Sequence, residues 1–287
     1  MAAADAAPAR PGLGIIAGAG PVPRRLIQAC RDAGRPLCVV AFEGQTDPET
    51  VEDVPHLWTR LGAAGEILDF LRAQQVGELV LAGPIKRPSL SEVRPDWRAA
   101  RFFARIGKRA FSDDGLLGSI VRALEEEEGF RVVGLDQLLG GGPLRPGPLG
   151  RHRPDALAQA DIRRGVEVAR AVGRLDIGQA VVVQQGTVLG VEAIEGTDAL
   201  LARCAGLALS GPGGVLVKLS KPQQERRVDL PTVGRDTVAG AASAGLRGLA
   251  VEARGTLIVD RAETVAAADA AGLFLVAVDS GDPDPAP

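Results

Sequence analysis

The chain has 287 residues, of which 46% are apolar, 24% charged and only 3% aromatic, with no tyrosine and a formal net charge of −3. That length allows a sizeable core and two domains. The slight acidity and the scarcity of aromatic rings speak against a basic nucleic-acid surface or a stacking platform for single strands, so no nucleic-acid partner is expected.

Residues 1–12 are rich in Ala and Pro and lack the apolar stretch of a signal peptide, so they are expected to be a disordered leader. A buried strand over 13–17 runs into Gly18-Ala19-Gly20-Pro-Val-Pro23, which opens an amphipathic helix over 24–33 closed by Gly34. Strands over 36–42 and 78–82 bracket a helix near 63–75. The second of these strands leads into Gly83-Pro-Ile-Lys86-Arg87-Pro88. Helices over 97–106 and from 113 to 128, stopped by Gly129, precede a strand over 130–133. Strands and helices alternating at this spacing imply a parallel sheet covered on both faces, a domain over 13–139.

Residues 140–150 hold eight Gly and Pro residues among eleven and are expected to be a linker. Beyond it, 151–279 read as a mixed α/β domain. The expected elements are a helix over 154–172, paired strands over 179–184 and 187–193, a strand over 215–219, a helix over 237–244 and late strands over 249–252, 257–260 and 273–278. Residues 280–287 are expected to be a disordered tail. No apolar run of about 18 residues is present, so no membrane-spanning helix is expected. Cys30, Cys38 and Cys204 form no C-x-x-C, which suits a reducing compartment and speaks against disulfides or structural zinc. His56 and His152 are the only histidines, too few for a histidine-based centre.

The acids carry the chemistry. Glu192, Glu195 and Asp198 fall within seven residues after an apolar strand, and Asp229 follows in Arg227-Val-Asp229-Leu-Pro231. Carboxylates beside glycines at strand ends suit a hard cation such as Mg²⁺, which commonly bridges one or two carboxylates to a phosphate. Each acid also has a plain reading as a solvated helix or turn position. The glycine loop fits dinucleotide binding, with Glu43 as a ribose ligand, but equally another phosphate ligand or a tight turn. Lys86 and Arg87 fit a phosphate-bearing ligand. Asp113 and Asp114 fit either a helix cap or a ligand contact. Gln179 closes a turn, and Lys218 and Lys221 could bracket a phosphate or simply be exposed.

The strings Leu13-Gly-Ile-Ile-Ala-Gly-Ala-Gly20, Ala82-Gly-x-x-x-Arg87-Pro88, Asp113-Asp114-x-Leu-Leu117, Leu175-Asp-Ile-Gly-Gln179, Val191-Glu-Ala-x-Glu-Gly-Thr-Asp198 and Lys221-Pro-x-Gln-x-x-Arg227-x-Asp229-Leu-Pro-Thr-x-Gly234 occur in this order. Together they resemble the LpxI family, the UDP-2,3-diacylglucosamine pyrophosphatases of lipid A biosynthesis, over roughly residues 13–278. The resemblance implies an N-terminal Rossmann-like domain and a C-terminal α/β domain. It also implies Mg²⁺-dependent hydrolysis of UDP-2,3-diacylglucosamine to 2,3-diacylglucosamine 1-phosphate (lipid X) and UMP. Asp229, Asp198 and Glu195 would be catalytic, and Asp229, Glu192 and Asp198 would hold the metal. Gly18, Ala19, Gly20, Gly83, Lys86, Arg87, Asp113, Asp114, Gln179, Thr197, Lys218, Lys221, Arg227 and Thr232 would bind substrate. A homodimer held peripherally at the cytoplasmic face of the inner membrane is implied as well. Ala19, Pro84 and Ser112 depart from the family's usual residues, and Pro84 removes one backbone donor. A nicotinamide-dependent oxidoreductase and a non-catalytic lipid or nucleotide carrier are the alternatives.

Overall fold

A computed structural model describes residues 11–85, 95–106, 113–139, 142–222, 224–225, 227–279 and 281, with backbone alone for 106 and 113–115. The chain divides into two compact units, residues 1–140 with 227–229 and residues 141–226 with 230–287.

In the first unit, strands β1 (Gly12–Ala17), β2 (Leu37–Phe42), β3 (His56–Thr59), β4 (Val76–Ala82) and β5 (Arg131–Val132) form a sheet in the order β3-β2-β1-β4-β5. Every pairing in it is parallel. Helices α1 (Pro21–Asp32), α2 (Ala64–Ala73), α3 (Trp97–Ile106) and α4 (Asp113–Glu126) lie between these strands in the chain, and α5 (Leu135–Leu139) follows β5. Cys38, Val40 and Phe42 of β2 pack with Leu79, Val132, Leu68 and Leu71 of α2 and Val121 of α4. Val39 and Ala41, on the opposite face of β2, are buried too. Both faces are therefore covered, as a parallel sheet requires. The helix α1 begins earlier than the periodicity suggests because Pro21 occupies its first position, where a missing N–H costs nothing. Strand β3 was not expected from its sequence. It is a four-residue edge strand with only Thr59 buried, too short and too polar to read as a strand.

In the second unit the sheet order is β6-β13-β11-β9-β7-β8. These strands are β6 (Gly147–Pro148), β7 (Ala180–Gln184), β8 (Thr187–Val191), β9 (Val215–Lys218), β11 (Gly248–Glu252) and β13 (Phe274–Val278). The central strands β9, β11 and β13 run parallel, while β7, β8 and β6 pair antiparallel, so the sheet is mixed. A short parallel pair, β10 (Thr232–Val233) and β12 (Leu257–Ile258), stands apart from it. Helix α6 (Ala156–Arg174) covers one face over Val181, Val183, Val215 and Val217. Helices α7 (Gly196–Ala205), α8 (Arg235–Ser243) and α9 (Arg261–Ala270) cover the other over Val182, Leu216, Leu249 and Leu275.

The glycine-rich stretch expected as a linker over 140–150 behaves differently where it is described. Leu144 is buried in the core beneath α7 and α8, and Gly147–Pro148 pairs with β13 as an edge strand. Proline is tolerated there because an edge strand leaves one row of donors unneeded.

Asp155 caps α6, accepting a hydrogen bond from the Ala158 amide at 2.7 Å. Gly165 lets this helix ride close to the sheet, since a Cβ there would lie 2.3 Å from Cγ2 of Val217. Gly165→Ala should therefore destabilise the protein by about 1–3 kcal/mol through overpacking, despite a gain of about 1 kcal/mol in helix propensity. Urea unfolding of the full chain checks this; an unchanged or raised midpoint would mean that the helix can back away from Val217.

Candidate functional site

In the first unit the chain leaves β1 towards β2 on one side, while β4 lies on the other side of β1. This places a topological switch point between β1 and β4, where open α/β sheets commonly bind ligands. The loops Gly18–Gly20 and Gly83–Ile85 meet there. A Cβ on Gly18 would lie 2.4 Å from the Pro84 carbonyl oxygen, and one on Gly83 (φ +84°) 2.3 Å from that of Ala19. Only glycine permits this approach. The loop spends its donors on the contact. The Gly18 amide donates to Ala82 O at 2.8 Å, and the Ala19 amide to Pro84 O at 2.9 Å. The Gly20 amide donates to Asp47 Oδ2 at 2.9 Å. The N–H groups that the glycine pattern offered to a diphosphate are thus engaged within the protein, and the nicotinamide alternative loses the feature on which it rested. Ala19 is not among the residues with positive φ, which explains why alanine is tolerated there. Lys86 and Arg87 lie outside the described residues. Asp113 and Asp114 open α4, and their side chains also lie outside them.

The Asp229 string falls into the first unit although its neighbours on either side belong to the second. Arg227 Nη1 donates to Glu125 Oε1 of α4 at 2.7 Å, and Val228 packs against the core cluster under β2 and β4. Asp229 is half-buried, and among the described residues its carboxylate has no hydrogen-bond or ion-pair partner.

The second unit gathers its candidates at one end of the sheet, where β8 and β9 end and β7 begins. Glu192, one residue past β8, is only 5% exposed. Its Oε2 accepts the Gln179 amide at 2.9 Å and its Oε1 accepts the Thr197 hydroxyl at 2.6 Å. Thr197 Oγ1 in turn accepts Lys218 Nζ at 3.0 Å, and Lys218, 6% exposed, also donates to Thr232 O at 2.9 Å. Gly178 seals the junction; a Cβ there would lie 2.0 Å from the Glu192 carbonyl oxygen. The side-chain oxygen of Gln179 is buried here without a hydrogen-bond partner among the described residues. A buried acceptor left unmatched is costly, and a ligand donor would satisfy it.

Lys221 pairs with Asp176 at 2.6 Å, and Asp176 adopts a left-handed φ of 56° in the turn before Gln179. The backbone amide of Ser220 donates to Glu252 Oε2 at 3.0 Å, and the Ser220 hydroxyl bonds the same oxygen. Glu252 ends β11 and is buried. Sequence marks Glu252 only as the end of an expected strand and Asp176 only as part of a turn. The position of Glu252 at the end of an apolar strand was the signal available.

The three clustered acids play different parts. Glu192 is buried and hydrogen-bonded through both oxygens. Glu195 precedes α7 and accepts Arg203 Nη2 at 2.7 Å and the Ala193 amide at 3.1 Å. Asp198 is exposed in the first turn of α7, where the helix dipole favours a negative charge, and has no side-chain partner among the described residues. Among the described residues no three His, Cys, Asp or Glu side chains lie together as a metal-binding group.

The Arg203 hydrogen bond, with help from backbone amides, holds the Glu195 carboxyl below its ordinary value. A lowered carboxylate contributes stability above its unfolded pKa and loses it as pH falls through the folded one. Glu195→Gln should therefore flatten the loss of stability on acidification below about pH 4.5. Thermal unfolding from neutral pH downward checks this; parallel profiles for the two proteins would refute it.

The chain matches the family model of the LpxI N-terminal domain over residues 12–141 and that of the LpxI C-terminal domain over residues 145–276. It is 42% identical over 274 residues to the UDP-2,3-diacylglucosamine pyrophosphatase LpxI of Caulobacter vibrioides (strain ATCC 19089 / CIP 103742 / CB 15), an alignment covering 93% of this chain and 97% of that protein. With both domains matched in order and a relative matched from end to end, the chain belongs to the LpxI family.

Proposed function

We propose that this chain hydrolyses the diphosphate of UDP-2,3-diacylglucosamine to lipid X and UMP, with Mg²⁺ as its cofactor. One observation carries this reading: 42% identity across nearly the full length of a relative named for that pyrophosphatase activity. The residues are compatible with the chemistry. Mg²⁺ takes hard oxygen ligands, retains several waters and needs only one or two carboxylates besides substrate phosphates. The lack of a three-residue cage among the described residues is no obstacle to such a site.

Of the acids expected to hold the metal, Asp229 and Asp198 are each without a carboxylate partner among the described residues. Glu192 was expected to join them, but both its oxygens already accept hydrogen bonds from Gln179 and Thr197. Its part is then chiefly to orient Thr197 and Lys218, with any metal contact confined to its remaining lone pairs. When bound, Mg²⁺ would neutralise charge gathering on the phosphoryl oxygens. Lys218, at the end of β9, and Lys221 add positive charge, and the Thr197 hydroxyl holds Lys218 in place. Asp229 would also orient the attacking water and accept its proton. Glu195, tied to Arg203, fixes the start of α7 and with it Thr197 and Asp198. The Gln179 side-chain oxygen, buried and unmatched, would accept a hydroxyl or amide hydrogen of the acylated sugar.

No described helix is long and apolar enough to cross a membrane. On the same reading, a homodimer would meet its diacylated substrate from the cytoplasmic face of the inner membrane by peripheral contact.

Incubation with UDP-2,3-diacylglucosamine, with and without Mg²⁺, tests the proposal. Wild-type protein should release UMP and lipid X only with the metal. Asp229→Ala should lose on the order of 10²–10⁴ in rate while still binding substrate. No release by the wild type would move the weight to a lipid or nucleotide carrier. Gln179→Leu should raise KM more than it lowers kcat, because the unmatched acceptor is lost along with its ligand contact. An unchanged KM would remove Gln179 from the substrate site.

A further inference from the structure

Helix α4 ends at Glu126, and the run Glu125-Glu-Glu-Glu128 straddles that end, four carboxylates where the helix dipole favours positive charge and the last turn supplies none. The run is matched from elsewhere in the first unit. Glu127 pairs with Arg105 at 2.7 Å and Glu128 with Arg72. Glu125 pairs with Arg227, and its Oε1 also accepts the Val132 amide at 3.2 Å, where β5 begins. Glu125 thus joins a helix end, a strand of the sheet and the string that carries Asp229.

The other contacts of that string point the same way. Val228 packs against the core cluster that holds Val121 and Val132. Gly134 lies beside the Arg227 backbone, a Cβ there falling at an ordinary contact distance of 3.7 Å from Arg227 Cα. Residues 227–229 are the only described part of the chain beyond residue 140 that falls into the first unit, and the neighbouring residues on each side belong to the second. Three residues cannot form a helix or a ladder of their own, so side-chain anchors must hold them. Of the anchors described, the Glu125–Arg227 pair is the charged one, with side chains 29% and 36% exposed, shielded enough for its geometry to be kept.

We propose that Glu125 is a positioning residue for Asp229: by holding Arg227 to the end of α4, it fixes the backbone from which the Asp229 carboxylate projects. The inference rests on the reading of Asp229 as the residue that holds the metal and directs water. Such a carboxylate must be held within a fraction of an ångström, and misplacement by about 1 Å can cost on the order of a hundredfold in rate.

The test uses the full-length protein with Glu125→Ala, Glu125→Gln and, as a control from the same acidic run, Glu127→Gln. Two quantities are read: steady-state hydrolysis of UDP-2,3-diacylglucosamine, and amide hydrogen exchange at residues 228–230 without substrate. Glu125→Ala should lower kcat roughly tenfold with KM within about twofold, and should speed exchange at 228–230. Glu125→Gln, which keeps an acceptor for Arg227, should recover much of both losses, and Glu127→Gln should change neither. Unaltered exchange at 228–230 in Glu125→Ala would overturn the proposal, as would faster exchange with kcat intact. A wild type that releases no UMP would instead sink the hydrolase reading, and exchange alone would then decide whether Glu125 anchors the string.

Discussion

Lys218 imposes the central constraint on the second unit. It ends β9, a strand buried in the middle of the sheet, and its ammonium group is almost wholly withdrawn from water. A buried cation must find oxygen atoms or be neutralised, because transfer of an unpaired charge from water is prohibitively costly. The fold answers with Thr197 at the start of α7 and the Thr232 carbonyl at the start of β10. Thr197 is oriented in turn by Glu192, and Glu192 by the Gln179 amide. Five residues far apart in sequence are thereby locked into one chain of hydrogen bonds. The Glu-Gly-Thr-Asp string and the Arg-x-Asp-Leu-Pro-Thr string meet at a single ammonium group, one through a side chain and the other through its backbone. Charge-assisted bonds in a poorly solvated site reinforce one another, so this corner is rigid before any ligand arrives.

The periodic elements were legible in the sequence because burial writes itself into periodicity. Strands β1, β2, β4, β9 and β13 are nearly continuous apolar runs, as strands covered on both faces must be, and the reading found them within a residue or two. Helices α7 and α9 escaped it for a physical reason. Their sequences, Gly-Thr-Asp-Ala-Leu-Leu-Ala-Arg-Cys-Ala and Arg-Ala-Glu-Thr-Val-Ala-Ala-Ala-Asp-Ala, bury few large side chains, so their apolar stripes are narrow. Strands β3 and β6 are edge strands of four and two residues, short enough that neighbouring strands rather than propensity decide them.

The site was legible in a different way. Which residues to consider could be read as strings, whereas what each one touches could not. The acids at 192, 195 and 198 look equivalent in sequence, yet one is buried and bonded through both oxygens, one is tied to Arg203 and one faces solvent. The glycine loop shows the converse. Its pattern invites a phosphate, but glycines serve equally where two backbones must touch, and the Gly18–Pro84 approach uses them for that. Sequence cannot separate these meanings, since both require the same missing Cβ.

The distribution of bonded and unbonded carboxylates bears on the chemistry itself. A carboxylate that already accepts two strong hydrogen bonds has its charge spread into the protein and is a weaker partner for a dication. A half-buried carboxylate without donors keeps its full charge for an incoming ion or water. Glu192 is of the first kind and Asp229 of the second. The acid that organises the second unit and the acid proposed for the reaction are therefore different residues. They are also stabilised by different means: Glu192 by a dense local network, Asp229 by the anchoring of its neighbours Arg227 and Val228. Anchoring of this kind lets the Asp229 carboxylate stay unsatisfied without being loose, because the stability is supplied one and two residues away from the charge.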